Sequence, residues 1–274
     1  MVSTSTIVVP WDDLPDGIPP VLHEVPQLGD VDPAEVSTVN APVMVRLDRS
    51  GGLHLTSGRD GIVHCATDGT ITGSTPLPAG HLADYAVNAS LVVLLAEQQL
   101  RAMDHTGRPL WTIPSSFAGV LLGEHLFAPQ RNVPVVHEID VRSGATVRTL
   151  NRRPDAGRLF LVAGHLCAVY SDLDAGVRGI EVISADGAVV STAYSTGQHF
   201  SWLVHPIGFD EQLSVYLWRD GNIARITLAG HIEELGKIQT AHAPPPPNQW
   251  QVTPEGRIVT ALSTETGVTI LTSG

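Results

Sequence analysis

His81-Leu82-Ala83-Asp84 sets an imidazole and a carboxylate three residues apart, a pairing suited to general acid–base catalysis near neutral pH. His199 and His242 stand in joints ahead of later strand runs, so His81, Asp84, His199 and His242 are the candidate catalytic groups. Tyr85, Trp202, Trp218 and Trp250 offer aromatic surface for a ligand, and Arg131, Asp172 and Arg219 offer charge. The plainer account makes His81 a solvated turn residue, Asp84 a strand-entry acid and the tryptophans packing between sheets. No H-x-H, HExxH or C-x-x-C spacing marks a metal site. No G-x-S-x-G elbow, Walker loop or post-strand G-x-G-x-x-G is present either, so the motifs assign neither metal nor cofactor.

Composition narrows the partners. A formal net charge of −12 argues against the phosphate backbone of a nucleic acid and against an anionic membrane. No stretch approaches the roughly 18 apolar residues of a membrane span. The first residues, MVSTSTIVVP, lack the basic start of a secretory signal. Cys65 and Cys167 each sit inside an apolar run, as buried free thiols would, and the expected location is the cytoplasm. The single lysine, Lys237, is a composition typical of high-GC bacterial genomes. With 43% hydrophobic and 16% charged residues, the chain has ample material for a core.

Positioning such residues requires a frame, and the frame repeats. LRAMDHTGRPLWTIP (100–114) is a strand, a glycine turn and a second strand. The same pattern returns at 62–76, 136–150, 180–195 and 223–237. Its spacing is that of four-stranded propeller blades. Two further short strands precede each pair, so each unit is a four-stranded antiparallel meander. The last unit, from Trp250, has only three strands, and the isolated run 5–10 supplies the fourth. An all-β, six-bladed β-propeller follows, one domain over 1–274 closed by its N-terminal strand. Its parts are the closing strand 5–10, a Pro-rich cover 11–42, and blades at 43–78, 79–114, 115–151, 158–195, 199–238 and 248–274.

The Asp104-x-Thr106-Gly107-x-x-Leu110-Trp111 form resembles repeats of the quinoprotein-like (PQQ-like) β-propeller superfamily. The resemblance implies the architecture, with Gly107 freeing the turn and Trp111 filling the space between blades. Quinone enzymes of that superfamily use larger rings and a calcium site whose ligands find no match here, so neither quinone nor calcium is carried over.

Joints between first and second strands, and between third and fourth, are mostly tight. The other joints are longer and emerge together on the opposite face of the ring. Function in such frames sits on loops. The Pro-rich runs 11–42 and 239–249 are expected to cover that mouth, with the candidate residues beneath them. Two functions fit. One is a cofactor-independent enzyme on a small molecule, of lyase, isomerase, cyclase or lactonase type, working by His/carboxylate proton transfer. The other is a non-catalytic scaffold whose elaborated face docks a protein.

Overall fold

Short apolar runs punctuated by Gly and Asp turns favour hairpins over helices. The computed structural model describes residues 4–14, 42–48, 51–56, 61–78, 82–115, 119–130, 133–172, 174, 177–184, 187–194, 205–219, 222–237, 250–264 and 266–273. Strand β1 (Thr4–Pro10) stands alone in sequence. Blade 1 is β2 (Pro42–Leu47), β3 (Leu53–Thr56), β4 (Gly61–Cys65) and β5 (Ile71–Pro76); blade 2 is β6 (Leu82–Val87), β7 (Leu91–Ala96), β8 (Gln99–Asp104) and β9 (Pro109–Pro114). Blade 3 is β10 (Val120–Leu122), β11 (His125–Pro129), β12 (Val135–Asp140) and β13 (Thr146–Asn151); blade 4 is β14 (Phe160–Val162), β15 (His165–Asp172), β16 (Val177–Ile183) and β17 (Val189–Tyr194). Blade 5 is β18 (His205–Phe209), β19 (Val215–Arg219), β20 (Asn222–Ile226) and β21 (Ile232–Lys237). Blade 6 is β22 (Trp250–Val252), β23 (Ile258–Thr264) and β24 (Gly267–Ser273), completed by β1.

β1 runs antiparallel to β24 from Thr4 opposite Ser273 to Pro10 opposite Gly267, so the N-terminal strand closes the six-bladed ring. A second seam was not legible in the pattern: Pro42 and Val43 of β2 pair with Leu262 and Ala261 of β23, joining blades 6 and 1 into one sheet.

Each blade packs a face on each neighbour, which is why its middle strands are apolar without alternation. β7, LVVLLA, is buried along its whole length, whereas the outer strand β9 is mostly exposed. Six apolar clusters hold the described residues, one at every blade junction. Six junctions for six blades is what a closed ring demands.

The turn glycines explain the repeat. Gly107 adopts a φ of 85°, and a Cβ there would come within 2.8 Å of Pro76 Cγ, on the outer strand of the preceding blade. Trp111 lies in the same way over Gly144, and its Nε1 donates to the Val141 carbonyl at 2.6 Å, so Trp111 does fill the space between blades 2 and 3. At Gly69 the residue pressed against the turn is Ile7 of β1, which does for blade 6 what Trp111 does for blade 2. Gly69→Ala places a Cβ against Ile7 at a φ of 89° and should cost about 1–3 kcal/mol in a thermal or urea melt, partly restored by Ile7→Ala.

Two loops are shorter than the sequence suggests. β15 and β16 stay paired as far as Asp172 opposite Val177. β7 and β8 are joined by Glu97 and Gln98 alone, with φ of 50° and 60°, the primed-turn geometry that suits a hairpin's twist. Cys65 and Cys167 are buried in blades 1 and 4 and unpaired, and burial pushes their thiols up to about 11 and about 12. Both should react with a thiol reagent only after denaturant unfolds the chain, which absorbance of the released chromophore would show.

Candidate functional site

Of the residues singled out in the sequence, His81, His199, His242, Arg131 and Trp202 lie outside the described residues, as do most of the Pro-rich runs. The Arg219 backbone ends β19. Asp172 ends β15, with the Arg153 guanidinium 3.5 Å from its carboxylate. Trp218 is half-buried 6.2 Å, ring to ring, from His205, and its Nε1 has no hydrogen-bond partner among the described residues. Trp250 and Tyr85 are both enclosed. Trp250 fills the junction of blades 5 and 6, and the Tyr85 hydroxyl sits between the His54 and Met44 carbonyls at 2.6 and 3.3 Å. These two aromatics pack the frame.

Asp84 sits on the first strand of blade 2, where the innermost strands face the ring axis. Arg46 of blade 1 donates to it through Nη2, Arg158 reaches across from blade 4 to within 3.2 Å, and the Tyr85 N–H donates at 2.8 Å. Burial alone would raise the Asp84 carboxyl, but the Arg46 guanidinium, then that of Arg158, holds it below the ordinary carboxylate value. Asp84 is therefore a fixed charge at neutral pH and ties three blades together.

A large cavity lined by described residues lies at the other mouth. Its volume is about 950 Å³, and it is lined by residues from blades 1, 4, 5 and 6. The ends of the innermost strands give an apolar wall that includes Leu47, Leu161, Phe209 and Val252. The turns beyond them bring in Asp48, Glu211 and Glu255, three carboxylates against one guanidinium, Arg257. A hydrogen bond from the Thr253 hydroxyl holds Glu255 below its usual value. Tight turns supply part of its lining: Ala163 and Gly164 follow β14, and Thr253 to Glu255 follow β22. The residues expected to form a covered site on the long-loop face lie mostly outside those described.

Behind Asp48 runs a file of polar side chains, one per strand of blade 1. Asp48 Oδ1 accepts the Gly52 N–H at 2.9 Å, and Oδ2 lies 3.3 Å from His54 Nε2 on β3. His54 Nδ1 meets His64 Nδ1 of β4 at 2.7 Å, and His64 Nε2 meets the Thr75 hydroxyl of β5 at 2.7 Å. Thr75 then meets His105 Nδ1 of blade 2 at 2.9 Å, and His105 Nε2 meets the Asn88 carbonyl at 2.9 Å. Burial lowers the His54 imidazole, against the pull of Asp48; burial, with His54 and His105 adding to it, lowers His64 to about 4. Among the described residues no three His, Cys, Asp or Glu side chains stand close enough to share a metal ion.

Sequence reasoning passed over this file. Its signal was a histidine inside each of two apolar strands, LHL and VHC, which the propeller topology places side by side.

No protein-family model and no curated protein matches the chain. Solved structures do resemble it. A streptogramin B lyase aligns with a TM-score of 0.51 at 15% identity over 85% of this chain and 79% of that one. A catalytically inactive variant of virginiamycin B lyase from Staphylococcus aureus with quinupristin gives 0.56 at 11% identity over 98% and 99%. A chain of the mitotic checkpoint complex gives 0.51 at 12% over 89% and 76%. At these identities the likeness is one of fold: the chain is a six-bladed β-propeller.

Proposed function

We propose that this propeller binds a small organic molecule in the axial cavity at its tight-turn mouth and transforms it by carboxylate–histidine proton transfer, in the lyase or isomerase class. One observation carries the proposal: a cavity of about 950 Å³ has Asp48 on its wall, and Asp48 is backed by a continuous file of imidazoles. That volume suits a drug-sized ligand, and apolar walls with a few convergent polar groups are how such sites are made. Three carboxylates to one guanidinium favour a ligand with an apolar body and a basic end. Proton removal leaves an electron pair on the ligand; in a lyase that pair forms a double bond as the leaving group departs. Lyases are among the proteins that share the ring, so the scaffold supports that chemistry elsewhere.

The test is a thermal-shift screen of amines against matched neutral and anionic compounds. A ligand at 100 times its Kd stabilises by about 2.7 kcal/mol, a readily visible shift. Amines should raise the melting temperature, and Glu211→Gln with Glu255→Gln should weaken the shift while leaving the unliganded melt unchanged. If no compound shifts the protein and a stoichiometric protein partner is captured instead, the chain is a scaffold.

A further inference from the structure

The file from Asp48 to Asn88 has a proton count fixed by its chemistry. Five contacts link the groups Asp48, His54, His64, Thr75, His105 and the Asn88 carbonyl in a row. Each hydrogen bond needs one proton. Both ends are acceptors, a carboxylate and a carbonyl, and bring none. Three neutral imidazoles and one hydroxyl bring four. The row is one proton short of complete.

Geometry says where the gap lies. The His105 Nε2–H donates to the Asn88 carbonyl, so His105 Nδ1 is an acceptor and takes the Thr75 hydroxyl proton. Thr75 in turn accepts from His64 Nε2–H, and His64 Nδ1 accepts from His54 Nδ1–H. His54 Nε2 is then a bare lone pair facing Asp48 Oδ2 across 3.3 Å, the longest of the five contacts, where the others span 2.7–2.9 Å. Asp48, at that end, lines the cavity.

We infer that Asp48 and His54 form a one-proton base opening on the cavity, with His64, Thr75 and His105 as positioning residues that hold its vacant proton position toward the ligand. The inference rests on the cavity being the working site. In the step it serves, an X–H bond of the ligand breaks, its electron pair stays on the ligand, and the proton settles between Asp48 Oδ2 and His54 Nε2. All five contacts are then hydrogen bonds, so uptake completes the row rather than straining it. Among the described residues the surrounding charges include Arg46 and Asp48 on blade 1, and Asp84 and Asp104 with the weakly acidic Tyr85 on blade 2. Arg46 and Asp84 are already paired with each other. The lowered His54 and His64 imidazoles keep the row in its proton-poor, basic form at neutral pH.

Nitrogen-detected NMR of the intact chain with 15N-labelled histidine, without ligand, tests this. At neutral pH His54 should be the Nδ1–H tautomer, and His64 and His105 the Nε2–H tautomers. On acidification His54 and His64 should take up one proton in a single shared step below the ordinary histidine value of 6.5, centred on His54. Asp48→Asn is the decisive variant. Its amide oxygen keeps the Gly52 N–H, which turns the NH2 toward His54 Nε2 and supplies the fifth proton. The step should fall by more than one pH unit. Thr75→Val should remove the hydrogen-bond shift of the His105 Nδ1 resonance, and Thr75→Ser should restore it. An Nε2–H tautomer at His54, separate titrations of His54 and His64, or an unmoved step in Asp48→Asn would overturn the inference. Failure of the amine screen with these signatures intact would strike the ligand assignment alone; ligand binding without them would strike the base.

Discussion

Deleting residues 1–10 is expected to abolish cooperative folding and drive the chain into aggregates. The strand they contain pairs with β24 along its whole length, from Thr4 to Pro10. Val9 is 2% exposed in the cluster between blades 6 and 1, and Ile7 packs against the same cluster. Burying a side chain of this size contributes about 1.5–3 kcal/mol, and each ladder hydrogen bond adds about 0.5–1.5 kcal/mol net. Their sum approaches the whole stability of a typical domain, about 5–15 kcal/mol. What remains would expose β24, GVTILTS, as an unpaired β-branched edge, the template on which strands add. Light scattering and a thermal melt read the result. A peptide spanning Thr4–Pro10 added in trans should restore a cooperative transition by filling the same edge. Val9→Asp should reproduce much of the defect without shortening the chain. A truncated chain with an unchanged melting temperature and no aggregation would show that the ring does not need this strand.

The strand was legible because closure leaves a deficit that can be counted: blade 6 shows three strands in sequence, and one apolar run elsewhere lacks a partner. The blades were legible for the same reason, since a Gly turn pressed by the preceding outer strand must recur with every blade. The site was less so. Loop length pointed to the long-loop face, whose candidate residues lie mostly outside those described, whereas the funnel at the tight-turn mouth is set by where the inner strands end around the ring, which spacing along the chain does not show. Asp84 was chosen for its nearness to His81, a relation along the chain. Its chemistry is set instead by Arg46 and Arg158, 38 and 74 residues away in sequence, and only the ring brings them together. His54 and His64 carried a signal, a polar residue inside each of two apolar strands. Its meaning needed the register that sets them directly opposite one another.

Asp84→Ala should destabilise the fold by about 3–5 kcal/mol, the usual cost of leaving a buried partner charge unpaired. The residue is placed for a large effect: its side chain is 14% exposed and that of Arg46 is 7% exposed, so water cannot take over the guanidinium once the carboxylate is gone. The variant also leaves Arg46 and Arg158 facing each other. Asp84→Asn keeps the shape and removes only the charge, and should lose most of the same stability. Pairing it with Arg46→Met should return part of the loss, because an apolar side chain there no longer needs a counter-charge. The pH dependence separates charge from packing. Burial opposes ionisation of Asp84, but Arg46 and Arg158 overcome it, so its folded carboxyl lies below the ordinary value of 3.8. A depressed acid contributes stability that is fully present above its unfolded value and is lost as pH falls through its folded one. The melting-temperature gap between wild type and Asp84→Asn should therefore be constant from about pH 5 upward and close progressively below 3.8. A gap that persists undiminished into strong acid would mean that the loss does not come from the Asp84 charge, and the three-blade charge tie would be refuted.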